Sequence, residues 1–272
     1  MTETAGTEVP AQDEPFIIRA CVGLGAALGL AGWYLLFAGP FLLIGMGIGR
    51  SHPRLGAFLA FLSAFTLVLG LLLVARAAWG AHWRRAFPLA SVSPSLLVWT
   101  SLWVLAYIPV QLAWFAVADR LLGWPSPGDP LPIIGPLAVV LGAPIGEEVL
   151  VRGYGLARIR ELGGDLRALV LTSLVFALLH VSWSKLPATF ITGLFLGWVV
   201  LRSGSLWPAL LGHFVNNGLA YLMNRMQGVK LIDPDHASWT WLLGTGATGA
   251  MILIFLWMPQ VRRRVSELNA PP

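Results

Sequence analysis

Eight apolar runs, separated by short stretches rich in charge, proline or glycine, organise this chain. They fall at about 17–38 (with a glycine-rich extension to 49), 55–75, 96–118, 133–156, 168–183, 187–201, 206–224 and 239–258. Each is roughly long enough to cross a ~30 Å hydrocarbon layer as a helix, although 168–183 and 187–201 are short. Backbone groups in lipid must bond within their own segment, so the runs are expected to be helices. Alternation with a period of two is absent, which argues against a β-barrel. The pattern predicts an all-α fold, a polytopic transmembrane helix bundle of about eight spans.

The flanking segments read differently. Residues 1–16 are polar and acidic, the reverse of the basic start of a signal peptide. They are expected to form a disordered cytoplasmic leader before a single transmembrane domain over 17–258. A basic tail at 259–272 carries Arg262, Arg263 and Arg264. The stretch 119–132, rich in Pro, Gly and Asp, is expected to be an external loop. No internal repeat, low-complexity tract or second domain stands out.

Composition supports the membrane reading. The 272 residues are 57% hydrophobic and 11% charged, with a mean hydropathy of +0.74. A soluble domain carries roughly 25% charged residues, so the excess apolar surface must face lipid. The net charge of +5 comes from basic residues at run ends and in the tail. No basic patch on a soluble face is formed, which excludes nucleic acid as a partner. Eight spans place both ends on one side. The positive-inside rule then favours cytoplasmic termini, with eleven basic residues inside against six outside. The expected location is a cytoplasmic membrane, the inner membrane of a bacterium. Trp183, Trp207, Trp239 and Trp257 lie near run ends, as interface belts require. Cys21 is the only cysteine, so no intrachain disulfide forms.

Chemistry enters through polar groups inside the apolar runs, where a charge costs roughly 2.5–3.5 kcal/mol even on the lenient insertion scale. The fourth run contains Gly146-Glu147-Glu148-Val149-Leu150-Val151-Arg152-Gly153. Glu148 and Arg152 are four apart and can pair on one helix face. Glu147 is offset by about 100° and is left free for proton work. Phe176 and His180 share a face one turn apart in the fifth run. His213 and Asn217, also four apart, can aim at one spot from the seventh. Asn216 points elsewhere and is expected to be structural. A carboxylate base, two imidazoles and an amide donor make a hydrolase inventory: Glu147 with His180 to activate water, His213 and Asn217 to stabilise an oxyanion.

The ordered set EExxxR, FxxxH and HxxxN on successive membrane helices resembles the CPBP (CAAX protease/bacteriocin-processing, Abi) family of intramembrane proteases, relatives of the Ras-converting CAAX endopeptidase. The resemblance covers about 133–224. It implies that Glu147 and His180 activate water, that His213 and Asn217 form the oxyanion site, and that Glu148 and Arg152, with Phe176, play a supporting part. The family is commonly called metalloprotease. Zinc held by Glu147, His180 and His213 and a metal-free glutamate mechanism both remain open, and no HExxH spacing pins a metal to one helix turn. The implied partners are the lipid bilayer and a membrane-associated peptide or protein substrate.

Other intramembrane proteases fit less well. A rhomboid-type GxSG serine is missing, and Leu162-Gly163-Gly164-Asp165 lacks the first glycine of a GxGD aspartate motif. Two further readings stay in view: a proton-coupled transporter, since buried Glu, His and Arg also mark proton relays, and a non-proteolytic immunity or scaffold protein of the same fold.

Overall fold

The computed structural model describes residues 16–49, 51–124, 135–228 and 238–256. The leader apart from Phe16, the tail 259–272 and residues 125–134 of the expected external loop lie outside them. All eight apolar runs form helices over most of their described length, the run 168–183 leaving its helix after Leu179. They give α1 (Phe16–Phe37), α2 (Gly39–Gly49), α3 (Pro53–Trp79), α4 (Pro94–Leu122), α5 (Ala143–Glu148), α6 (Leu156–Leu179), α7 (Leu186–Ser203), α8 (Trp207–Gly228) and α9 (Trp239–Leu256). A 3₁₀ segment, Gly80–Ala86, follows α3, and π-helical segments Ala138–Gly142 and Val149–Gly155 flank α5.

Among the described residues, four helical stretches are long and apolar enough to cross a membrane unaided: Pro53–Ala86, Pro94–Leu122, Ala138–Leu179 and Leu186–Ser203. A fifth forms if Gly25–Phe37 of α1 and α2, bent by 48°, count as one. The eight apolar runs do not map one to one onto these stretches. Two of the apolar runs lie in the single 42-residue stretch Ala138–Leu179. That stretch turns at Gly164, whose φ of 80° and ψ of 178° no helix accommodates. The polar residues His213, Asn216 and Asn217 dilute α8, and α9 is apolar over Trp239–Ile254.

Small residues let the helices approach. Gly142 and Gly146, one turn apart, set α5 and its leading π segment against Phe61 and Ala64 of α3. Gly212 seats α8 against Thr100 and Val104 of α4 and Leu196 of α7. At the crossing of α6 and α7, a Cβ added to Gly193 would lie 2.9 Å from Ser173 Cβ and 3.0 Å from its Cα. Gly193→Ala is therefore expected to destabilise the purified protein by roughly 1–3 kcal/mol. Gly47→Ala, which meets nothing within 4 Å, serves as the control in thermal denaturation in detergent. Equal stability of the two variants would contradict the tight crossing.

The outer surface is apolar. Leu43, Leu73 and Ile254 are each more than half exposed, among many other large hydrophobics, which suits a lipid face rather than a water face. Inside sit polar groups: Glu148, Arg152, Thr172, Ser173 and His213 are buried with Phe176 in the middle of the bundle.

Candidate active site

The local sequence around Glu147 makes an irregular helix. Ala143 sends its N–H to the Ala138 carbonyl, a π-type bond. Pro144, next in line, has no N–H to offer. The Val139 carbonyl thus loses both helical partners, and Asn217 Nδ2 of α8 donates to it at 2.9 Å. Widened turns of this kind recur at functional sites because they re-aim side chains. Here two of them bracket the six residues that end in Glu147 and Glu148.

The two carboxylates have different surroundings. Glu148 is fully buried; its Oε1 accepts from Arg152 at 2.9 Å and from His213 Nδ1 at 2.8 Å. The pair expected at four-residue spacing thus forms, and it captures a histidine 65 residues away as well. Arg152 is equally buried. Its guanidinium lies 4.2 Å from the Phe176 ring centroid and reaches the Gly193 carbonyl at 3.4 Å. Glu147 keeps 18% of its side chain exposed, and its Oε2 stands 3.8 Å from His213 Nε2. That separation exceeds a direct hydrogen bond, so both tips stay available to a third group.

Phe176 organises the imidazoles. Its ring meets His180 edge-on at 5.0 Å and His213 at 5.5 Å. Its carbonyl is 2.8 Å from His180 Nδ1. A carbonyl only accepts, so Nδ1 carries the proton and His180 Nε2 is left as an acceptor. The same logic at the Glu148 carboxylate puts a proton on His213 Nδ1. Glu147 and His180 lie within electrostatic reach of each other. His180 ends α6, and the next residue, Val181, sits at φ 47°, a conformation a β-branched residue adopts only under constraint.

The structure thus brings Glu147, Glu148, Arg152, Phe176, His180 and His213 together. Asn217 lies one turn beyond His213 on α8 with one amide hydrogen committed to Val139. Asn216, expected to be structural, accepts from Gln111 Nε2 at 3.1 Å and donates to Asn217 Oδ1 at 3.3 Å.

Sequence reasoning missed three neighbours. Tyr34 of α1 and Lys185, between α6 and α7, both interact electrostatically with Glu147. Burial holds the Lys185 ammonium below its ordinary proton affinity, and the Glu147 carboxylate opposes that. Neither position carried a signal beyond being polar near an apolar run. Gln111 did: an amide inside the run 96–118 has to find a partner.

Among the described residues no three His, Cys, Asp or Glu side chains are grouped to hold a metal ion. Nδ1 of each histidine is engaged, which leaves Nε2 of both as the nitrogen that faces a water or an ion. The chemistry derived below runs on the side chains alone.

Residues 129–219 match the family model described as type II CAAX prenyl endopeptidase Rce1-like. The match covers about a third of the chain and contains every site residue named from the three motifs. No curated protein and no solved structure matches the chain. At family level, this segment is similar to the type II CAAX prenyl endopeptidases that the model describes.

Proposed function

We propose that this protein is an endopeptidase that hydrolyses a peptide bond of a membrane-associated peptide or protein. The observation that carries the reading is the contrast between two adjacent carboxylates: Glu148 is enclosed by Arg152 and His213, whereas Glu147 is accessible and faces His213 Nε2.

The chemistry follows from that contrast. Glu147, with the acceptor Nε2 of His180, holds a water and removes its proton. The resulting hydroxide adds to the scissile carbonyl. Asn217 donates its remaining amide hydrogen to the oxyanion. His213, held at Nδ1 by Glu148, turns Nε2 toward the same oxygen as the second donor. Collapse of the tetrahedral intermediate breaks the C–N bond, and the proton on Glu147 passes to the leaving nitrogen. Preorganised donors are worth most in a site closed to bulk water. Asn217→Ala is therefore expected to lower kcat by roughly 10²–10³-fold, read in a single-turnover cleavage assay. A loss smaller than threefold would remove the amide from the oxyanion role.

The termini are placed in the cytoplasm in this reading, and the membrane is the bacterial inner membrane. The leader and the tail flank a single transmembrane domain whose protease core is about 133–224.

The deciding experiment compares the membrane proteomes of cells without the protein, cells with the wild type and cells with Glu147→Ala. The same uncut precursor is expected to accumulate in the first and third, and to disappear in the second. Proton-coupled solute uptake by the purified protein in proteoliposomes, with no precursor in any strain, would replace the reading with transport.

A further inference from the structure

We infer that Gln111, on α4 and outside the segment that matches the protease family, is a positioning residue that fixes how Asn217 presents its free amide hydrogen. The inference rests on the oxyanion role given to Asn217 above and extends it to a helix that carries no motif.

Three primary amides and one carbonyl form a directed chain. Gln111 Nε2 donates to Asn216 Oδ1 at 3.1 Å, Asn216 Nδ2 to Asn217 Oδ1 at 3.3 Å, and Asn217 Nδ2 to the Val139 carbonyl at 2.9 Å. A primary amide has two ends of nearly equal size, and a half-turn exchanges acceptor for donor. In water that exchange is of little consequence. In this chain it is forbidden from one end to the other.

The fixed end is Val139. Its carbonyl can only accept, and it is free to accept because the π-type bond of Ala143 and the missing N–H of Pro144 leave it without a helical partner. Asn217 must therefore turn Nδ2 toward Val139 and Oδ1 toward Asn216. Asn216 must answer with Nδ2, which leaves its own Oδ1 facing α4. Gln111 closes the series there with a donor. Without it, Asn216 Oδ1 faces an apolar helix unpaired, and in that surrounding a half-buried acceptor rotates to find another donor. The rotation withdraws the hydrogen bond to Asn217 Oδ1. Asn217 is then no longer bound to a single orientation, and the hydrogen meant for the oxyanion is misdirected for part of the time. An interhelical hydrogen bond acting only as glue between α4 and α8 would affect stability alone. A positioning role affects kcat in the protein that remains folded.

The test uses full-length protein in lipid nanodiscs and, as substrate, a synthetic peptide spanning the cut in the precursor that accumulates with Glu147→Ala. Gln111→Met keeps the side-chain length and removes the amide. Its kcat is expected to fall about ten- to a hundredfold with KM within about twofold of the wild type. In the Asn217→Ala background the same substitution is expected to have no further effect, because the group it positions is gone. An unchanged kcat in Gln111→Met, or a full additive loss in the double variant, would overturn the inference. A second readout needs no substrate: the ¹⁵N side-chain amide signal of Asn217, assigned by its loss in Asn217→Ala. It is expected to shift in Gln111→Met, and a signal that stays in place overturns the chain itself. If no precursor accumulates in the Glu147→Ala cells, the protease reading fails, and the amide signal still decides whether the chain exists.

Discussion

Replacing Glu147 by alanine is expected to lower the rate of peptide-bond cleavage by roughly 10²–10⁴-fold, the range associated with a positioned general base, while the protein accumulates in the membrane at its normal level. Both halves follow from the surroundings of the carboxylate. It is the acidic side chain of the pair with access to the outside, 18% exposed, and it belongs to no ion pair with Arg152. Removing it leaves neither a buried charge nor an empty core volume of consequence. Glu147→Gln, which keeps the shape but cannot take a proton, is expected to be as inactive. Glu148→Ala should behave differently. It strips the fully buried Arg152 and His213 of their shared acceptor, so membrane level and activity fall together. Cleavage per mole of folded protein, with folding checked by size-exclusion chromatography, separates the cases. Activity within tenfold of the wild type in Glu147→Ala would remove the base from the mechanism.

The second large effect concerns stability. Arg152→Ala is expected to cost roughly 3–5 kcal/mol, the penalty for leaving one partner of a buried ion pair unmatched. Glu148 would remain a carboxylate at 0% exposure with His213 Nδ1 as its one remaining partner. The Phe176 ring would also lose the guanidinium stacked 4.2 Å from its centroid. Replacing both members, Glu148→Leu with Arg152→Leu, removes the unmatched charge and is expected to recover most of that stability without recovering cleavage, since His213 has lost its acceptor. Thermal denaturation in the same lipid environment reads the order: wild type, then the double variant, then Arg152→Ala. If Arg152→Ala were the more stable of the two, the pair would not be held together by charge.

The parts legible in the sequence were those set by local geometry. The eight apolar runs became helices because lipid leaves the backbone no alternative. The Glu148–Arg152 pair and the edge-on contact of Phe176 with His180 followed from spacings of four residues on a helix. What the sequence hid depends on how helices meet. The Glu148–His213 bond joins residues 65 apart in the chain, and no periodicity reports it. The turn at Gly164 lies in Gly163-Gly164, where no hydrophobic periodicity marks a bend. Pro144 between Gly142 and Gly146 was a visible sign of an irregular helix, yet the π geometry and the stranded Val139 carbonyl needed coordinates. Tyr34 approaches Glu147 because α1 packs on α6, a contact that follows from shape rather than from any motif.

The Val139 carbonyl, which takes its partner from α8, has a bearing on biogenesis. Helices enter the bilayer in the order in which they are synthesised, and an unsatisfied carbonyl in hydrocarbon costs several kcal/mol. The segment that holds Glu147 arrives with such a carbonyl, two carboxylates and an arginine, and Asn217 and His213 follow some seventy residues later. Until α8 is threaded beside it, that segment needs water, a chaperone or the insertion machinery to shelter its polar groups. In the proposed reading the assembly of the site thereby waits for α8, and a nascent chain cut before α8 holds Glu147 without His213 and Asn217.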